Sequence, residues 1–216
     1  MGSHNSRMQH AGGVCSGEPL PPAGAGPSEW RWRMLSAVWL VLVFCGMFAL
    51  GRYASTPAPV ANGAPHWPST SGIRRDLQRP ELVLFVHPHC PCTRATLSEL
   101  SRLMARLSNR LAAHLVFARP EGVEPGWEQG ALLARAGEIP GLSLVLDDAK
   151  REAERFGAHT SGEAFLYNVR GELVFHGGIT PARGHEGDSV GAAQIVALVD
   201  TGASDLRESA VFGCEL

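Results

Sequence analysis

The sequence predicts an α/β domain, a mixed sheet flanked by helices, preceded by a single transmembrane helix near the N-terminus. Three observations support this prediction: an uncharged apolar run at 34–51, short apolar segments alternating with helical periods from residue 80 onward, and 44% apolar residues overall. The formal net charge of −2 over 216 residues leaves no basic stripe for phosphates, so we expect no nucleic-acid partner.

Residues 1–33 are rich in glycine, proline and serine and show no apolar period. Such a segment buries too little apolar surface to offset the entropy lost on ordering. We therefore expect a disordered tail, on the cytoplasmic side of the membrane.

Residues 34–51 contain no charged side chain. As a helix they would extend about 27 Å, close to the thickness of the hydrocarbon core of a bilayer. A buried core helix or a cleaved signal peptide is the alternative, but the run has no polar face and no small-residue cleavage site directly after it. Arg31 and Arg33 before the run, against Arg52 alone after it, favour a cytoplasmic N-terminus. The rest of the chain would then lie on the periplasmic side of an inner membrane.

Residues 52–79 contain several prolines among small residues, which predicts a tether between the membrane and a folded domain. The domain would cover residues 80–216, with its core at 80–201.

The elements of this domain follow from local patterns. The segment 81–87 is apolar almost throughout, as in a strand buried on both faces, and leucines at helical spacing follow it from 97 to 111. The later patterns predict, in chain order, a strand at 113–119, a helix at 127–137, a strand at 142–147, a charged helix at 148–157, a hairpin across 169–171 and a helix at 189–201. The predicted order is βαβαβαββα.

The segment FVHPHCPC places Cys90 and Cys92 on either side of Pro91, where the first strand gives way to the first helix of the domain. Proline suits the first helical position, so we expect Cys90 at the N-cap and Cys92 in the first turn. A sulfur at the N-cap faces free backbone N–H groups and the positive end of the helix dipole, which lowers the pKa of the thiol. A disulfide across a single residue would be strained, which predicts an oxidising pair.

Three functions are compatible with this cluster. His87, His89, Cys90 and Cys92 together offer two imidazoles and two thiolates, a soft ligand set suited to copper(I) or zinc. The two cysteines could also be buried thiols without chemistry. A thiolate beside a second thiol favours disulfide exchange, and positive charge on His87, His89 or Arg94 would strengthen it. We take exchange as the primary prediction and copper handling as its alternative.

The segment LVLFVHPHCPC and the later LVLDDAKREAERFGAHTSGEAFLYNVRGELVFHGG resemble the thioredoxin-like superfamily over roughly residues 80–200. The resemblance is to its membrane-anchored extracytoplasmic branch, the TlpA/ResA-like and RedB-type proteins. It implies a thioredoxin-like fold, protein dithiols or disulfides as partners, and no bound cofactor. It also implies that Cys90 attacks and that Cys92 resolves the mixed disulfide.

The sequence departs from the family pattern at two places. C-P-C is one residue shorter than C-x-x-C, and Gly162 or Glu163 stands where the family has a cis-proline against the redox cysteines. That proline shapes the substrate groove and keeps metals away from the thiols, so its replacement favours the copper alternative. A peroxiredoxin-like peroxidase is disfavoured, because no threonine lies three residues before Cys90.

Two further features lie outside the motif. The loop 177–191 would lie at the same edge as the cysteines, although a solvated loop is the simpler expectation. Its side chains that could contact a partner there are Arg183, His185, Glu186 and Asp188. Cys214 could be a third redox thiol, but we expect a lone cysteine on a loose terminus.

Overall fold

The computed structural model describes residues 27–59 and 62–216, so most of the predicted tail lies outside the described residues. The chain divides into two compact units between Gly46 and Met47.

Helix α1 covers Pro27–Ser55, a range longer at both ends than the uncharged run. Residues 27–33, predicted as tail, and 52–55, predicted as tether, are therefore helical. Twenty-nine residues of helix extend about 43 Å, more than a bilayer core requires. By its length and composition, the helix is a candidate membrane span from Glu29 to Ser55. Large apolar side chains are exposed along it, as lipid contact requires: Trp39, Leu42, Phe44 and Phe48 are examples.

A five-stranded mixed sheet forms the centre of the second unit, in the spatial order β3-β2-β1-β4-β5. The strands are β1 (Glu81–Val86), β2 (Ala112–Arg119), β3 (Leu142–Asp148), β4 (Glu163–Tyr167) and β5 (Leu173–Gly178). Strands β1, β2 and β3 are parallel, whereas β4 and β5 pair antiparallel. The central position of β1 explains its nearly continuous apolar sequence, because both of its faces are covered.

Four helices cover the sheet, and their order confirms the predicted βαβαβαββα. They are α2 (Thr93–Leu107), α3 (Ala131–Gly137), α4 (Arg151–Phe156) and α5 (Val190–Thr201). Helix α4 begins later than predicted because the Asp147 carboxylate accepts hydrogen bonds from the N–H groups of Glu152 and Ala153, at 2.8 and 2.9 Å. It ends at Gly157, whose φ of 77° is the left-handed conformation that a glycine stop requires.

The core lies on both faces of the sheet. Alternate β1 side chains point to opposite sides, so that Leu84 packs with α2 and α5 while Phe85 packs with Phe156 of α4. Burying both faces fixes the register of β1, and therefore the position of the turn that follows it.

Residues 62–79 pack against the face of the sheet that carries Phe85 and α4, here called the second face, although their prolines predicted a tether. The backbone N–H of Trp67 donates to the carbonyl of Gly171 at 2.8 Å, and its ring lies edge-on to Tyr167 with 5.3 Å between centroids. The folded unit therefore begins well before residue 80. Proline content alone does not exclude packing, because an extended segment can still bury an aromatic side chain.

Residues 207–216, here called the strap, pack along the edge of the sheet. The N–H of His176 donates to the Arg207 carbonyl at 2.9 Å, and the N–H of Ser209 donates back to the His176 carbonyl at 3.2 Å. Leu216 is buried in the core of the second face. The expected loose terminus is therefore wrong, because both ends of the strap are held by the domain.

Candidate active site

The Cys90-Pro91-Cys92 segment forms the turn between β1 and α2. The N–H of Thr93 donates to the Cys90 carbonyl at 3.1 Å, and the N–H of Thr96 donates to the Cys92 carbonyl at 3.4 Å. The turn thus leads directly into the helix, which begins at Thr93. Cys92 therefore precedes the helix, whereas the sequence predicted that it would lie inside the first turn.

Cys214 of the strap joins the two motif cysteines. Its Sγ lies 3.2 Å from Sγ of Cys90, and the three sulfur atoms all lie within 4.8 Å of one another. Cys90 is only 3% exposed, whereas Cys92 and Cys214 are half-buried. The result is a cluster of three thiols in which the central sulfur is covered by a segment distant in sequence.

The strap holds Cys214 in place by backbone pairing with residues 159–161. The N–H of Ser161 donates to the Cys214 carbonyl at 2.8 Å, and the N–H of Leu216 donates to the His159 carbonyl at 3.0 Å. Gly213 makes this approach possible, because a Cβ there would lie 1.7 Å from the Ser161 carbonyl oxygen. The glycine before Cys214 was the one sequence feature that could have indicated a docked segment.

Gly162, one of the two residues that could replace the cis-proline, directly follows residues 159–161, here called the seat of Cys214. The described residues contain no cis peptide bond, and Gly162 takes a left-handed conformation with φ 95°. Its N–H donates to the Phe85 carbonyl at 2.7 Å, which ties the loop to the end of β1. The left-handed conformation favours glycine and so accounts for the residue type at this position.

Glu163 is fully buried and organises the same loop. Its carboxylate accepts hydrogen bonds from the N–H groups of His159 and Thr160 at 2.8 and 2.9 Å, and Oε1 lies 2.7 Å from Nε2 of His176. Glu163 therefore acts on the site indirectly, by positioning the backbone that pairs with Cys214.

Burial alone would raise the pKa of the Cys90 thiol. Hydrogen bonds from the thiol and backbone N–H of Cys214, and from Cys92, outweigh burial and lower the pKa below its ordinary value. The sequence predicted this direction from the N-cap position, but most of the effect comes from Cys214. Cys90 is thus the thiol of the three that ionises most readily.

The other two thiols shift the opposite way. Burial, together with the charge of Cys90, raises the pKa of Cys92. Burial and the hydrogen bond to Cys90 raise the pKa of Cys214 to about 12. The guanidinium of Arg183 opposes both shifts, and it donates a hydrogen bond to the Gly213 carbonyl. As the pH rises, Cys90 is therefore the first of the three thiols to lose its proton, and Cys92 and Cys214 follow at higher pH.

The positive charge near the thiols comes from the 177–191 loop. Arg94, predicted for this role, is exposed, whereas Arg183 reaches the strap. The loop is also more ordered than the solvated loop expected, since Glu186 accepts a hydrogen bond from Ser98 at 2.7 Å. Its contacts with α2 and the strap were invisible in its glycine-rich composition.

The two histidines form a separate cluster with Trp127. Nε2 of His89 lies 2.9 Å from the Trp127 carbonyl oxygen, and the His87 ring lies edge-on to the indole at 5.4 Å. Burial, with help from neighbouring positive charge, lowers the pKa of His87, so this imidazole is neutral at pH 7. Among the described residues, the group with atoms close enough to share a metal contains the three cysteines and neither histidine. The predicted ligand set of His87, His89, Cys90 and Cys92 is therefore not assembled.

Cys92 is the motif cysteine that borders open space. It lines, together with Pro91, Arg183 and His185, part of a cavity of about 650 Å³. The remaining wall of this cavity is formed by residues of α1, among them Leu50 and Tyr53.

No protein-family model matches the chain, and no curated protein matches its sequence. Among solved structures, an uncharacterized conserved protein from Geobacillus kaustophilus is similar at a TM-score of 0.55 and 17% identity, over 75% of this chain and 90% of that one. A hypothetical protein from Sinorhizobium meliloti is similar at a TM-score of 0.51 and 21% identity, over 63% of this chain and 78% of that one. A secreted Mycobacterium tuberculosis disulfide oxidoreductase homologous to E. coli DsbE has a TM-score of 0.41 and 13% identity, over 56% of this chain and 81% of that one. The domain has the thioredoxin-like fold that the sequence predicted.

Proposed function

We propose that this chain is a membrane-tethered thiol–disulfide oxidoreductase that exchanges a Cys90–Cys92 dithiol or disulfide with partner proteins. The single observation that supports it most is the buried Cys90 sulfur at the strand–helix junction, with a second motif sulfur within 4.8 Å and a lowered thiol pKa. A thiolate is the nucleophile in disulfide exchange, and a neighbouring thiol is needed to release the product.

The exchange proceeds in two balanced steps. The Cys90 thiolate attacks one sulfur of a client disulfide, which forms a mixed disulfide and releases the other client sulfur as a thiolate. Cys92 then attacks Sγ of Cys90, its proton passes to the departing client sulfur, and a Cys90–Cys92 disulfide remains. Two electrons pass from the protein dithiol to the client disulfide, and the reverse sequence oxidises a client dithiol.

The proposed location is the extracytoplasmic face of a bacterial inner membrane, with α1 as the anchor. The length and all-round apolar surface of α1 support membrane insertion, and the arginines before the span favour a cytoplasmic N-terminus. Disulfide chemistry is also more common outside the cytoplasm. Recovery of the full-length protein in a soluble fraction without detergent would contradict the anchor.

The test uses the full-length protein in detergent, with Cys15 and Cys45 replaced by serine so that the three clustered cysteines remain. We expect this parent to accelerate the reduction of insulin by dithiothreitol and Cys90→Ser to abolish the acceleration. Cys92→Ser combined with Cys214→Ser, which leaves no second thiol in the cluster, should accumulate a mixed disulfide with insulin. The matched control is the protein with Cys45→Ser alone, which should keep full activity because Cys45 lies in α1.

Two outcomes would count against this function. Equal insulin reduction by the parent and by Cys90→Ser would remove Cys90 from the chemistry. Stoichiometric copper(I) binding, lost in the cysteine variants and accompanied by no disulfide reduction in the parent, would favour copper handling instead.

A further inference from the structure

We infer that Cys214 is a third redox-active thiol. It forms a disulfide with Cys90 during turnover, and Cys92 then displaces Cys214 to form the Cys90–Cys92 disulfide. This inference rests on the proposed function and adds an internal partner to the same site. It assigns chemistry to a strap residue that lies 124 positions from Cys90 in the sequence.

The distance and the covering of Cys90 both support this role. Sγ of Cys214 already lies within hydrogen-bond distance of Sγ of Cys90, at 3.2 Å, and a shift of about 1 Å would bring the two sulfurs to the length of a disulfide bond. Because Cys214 belongs to a separate segment, its approach is free of the short ring that constrains a bond between Cys90 and Cys92. The thiol that covers the nucleophile is therefore the one placed to react with it.

The strap presents Cys214 in the manner of an extended partner segment. Thr160 and Glu215 form an antiparallel bridge, and the hydrogen bonds on either side of it continue the pairing. Addition of an extended segment to an exposed backbone edge is a general mode of peptide recognition. The seat at 159–161 thus holds a cysteine-bearing peptide that belongs to the protein itself.

The charges at the cluster change in the direction that this step needs. Once Cys90 is bonded to a client sulfur it carries no negative charge, so the repulsion and the hydrogen bond that favour the protonated Cys214 thiol both disappear. The Arg183 guanidinium remains, since it is held by the Gly213 carbonyl, and it favours the Cys214 thiolate. Cys214 therefore becomes a better nucleophile only after Cys90 has reacted.

The proposed exchange among the sulfur atoms has three steps. Cys90 attacks a client disulfide as proposed above. Cys214 then attacks Sγ of Cys90, which breaks the mixed disulfide, forms Cys90–Cys214 and passes the Cys214 proton to the client sulfur. Cys92 next attacks Sγ of Cys90, which forms Cys90–Cys92 and passes its proton to Cys214. The client gains two electrons in total, and the exchange among the three cysteines transfers none.

The decisive experiment uses the full-length Cys15→Ser/Cys45→Ser protein with Cys92→Ser added, so that Cys90 and Cys214 are its only cysteines. The reduced protein is treated with oxidised glutathione, quenched with acid, digested and mapped by mass spectrometry. We expect a peptide pair linked through Cys90 and Cys214. With Cys214→Ser added as well, we expect glutathione to remain on Cys90. Persistent glutathione on Cys90 while Cys214 is present would overturn the inference.

A second pair of variants tests whether the strap positions the thiol. Both variants are made in the Cys92→Ser protein, where Gly213→Ala places a methyl group against the Ser161 carbonyl, so we expect loss of the Cys90–Cys214 disulfide. With Cys92 intact, the Cys90–Cys92 disulfide should still form in Gly213→Ala. Gly137→Ala is the matched control, because the atom nearest to its added Cβ lies 4.0 Å away. Equal yields of Cys90–Cys214 in both variants would show that backbone pairing does not place Cys214.

The two proposals fail in different ways. If the parent does not reduce insulin and Cys90 does not react with glutathione, the proposed function fails. If the parent and Cys214→Ser reduce insulin at the same rate and no Cys90–Cys214 link forms, only the role of Cys214 fails.

Discussion

The turn at 87–92 and the strap at 207–216 contribute to one cluster of sulfur atoms but are held by different interactions. The turn is local: burial of β1 fixes where it starts, and the first hydrogen bonds of α2 fix where it ends. The strap contains no helix or strand, and its shape depends on hydrogen bonds to residues 159–161 and His176. The motif therefore supplies the nucleophile, while a distant segment influences its ionisation and covers it.

The largest expected effect comes from the buried carboxylate beneath the strap. Glu163→Ala leaves the His176 imidazole and two backbone N–H groups without their acceptor in the interior. We expect the free energy of unfolding to fall by about 3–5 kcal/mol, as for the loss of one partner of a buried pair. The measurement is chemical denaturation of the full-length protein in detergent, followed by circular dichroism.

Glu154→Ala serves as the control for this change, because Glu154 lies exposed on α4. A loss of stability in Glu163→Ala no larger than in Glu154→Ala would mean that the seat at 159–161 does not depend on the carboxylate. The strap would then be held by its other contacts with the domain.

The next effect concerns the ionisation of Cys90. Hydrogen bonds from Cys214 favour the charged form and lower the Cys90 pKa, so removing the thiol with Cys214→Ala should raise that pKa. Less thiolate is then present at pH 7, and the alkylation of Cys90 by iodoacetamide should slow. The midpoint of its rate–pH profile should move to higher pH, which mass spectrometry of the alkylated peptide measures.

Cys214→Ser sharpens this test, because serine keeps a hydrogen-bond donor but cannot form a disulfide. We expect its alkylation profile to stay close to that of the parent. Identical profiles for Cys214→Ala and the parent would instead mean that the turn alone sets the ionisation of Cys90.

The smallest effect is expected at the histidine cluster. Trp127→Ala removes the indole that packs on His87, and since burial lowers the pKa of His87, its pKa should rise toward the ordinary value. The shift is measured by NMR titration of the imidazole. Because the histidines lie apart from the sulfur cluster, alkylation of Cys90 should not change, and a slower reaction would place them in the site after all.

Local patterns in the sequence predicted the order of the elements, the doubly buried β1, the glycine stop at Gly157 and the position of Cys90 between β1 and α2. These features depend on periodicity, turns and helix ends, which act within a few residues. The physical interactions that fix them are therefore visible in any short window of the sequence.

Only the tertiary structure decided the packing of residues 62–79, the separation of His87 and His89 from the thiols, and the contact of Arg183 and Cys214 with the site. Each depends on segments brought together across long stretches of chain. The entropic cost of closing such a loop rises only slowly with its length, so the number of residues between two segments does not indicate whether they meet. The contacts themselves decide, and for Cys214 they are backbone hydrogen bonds that any residue type can make.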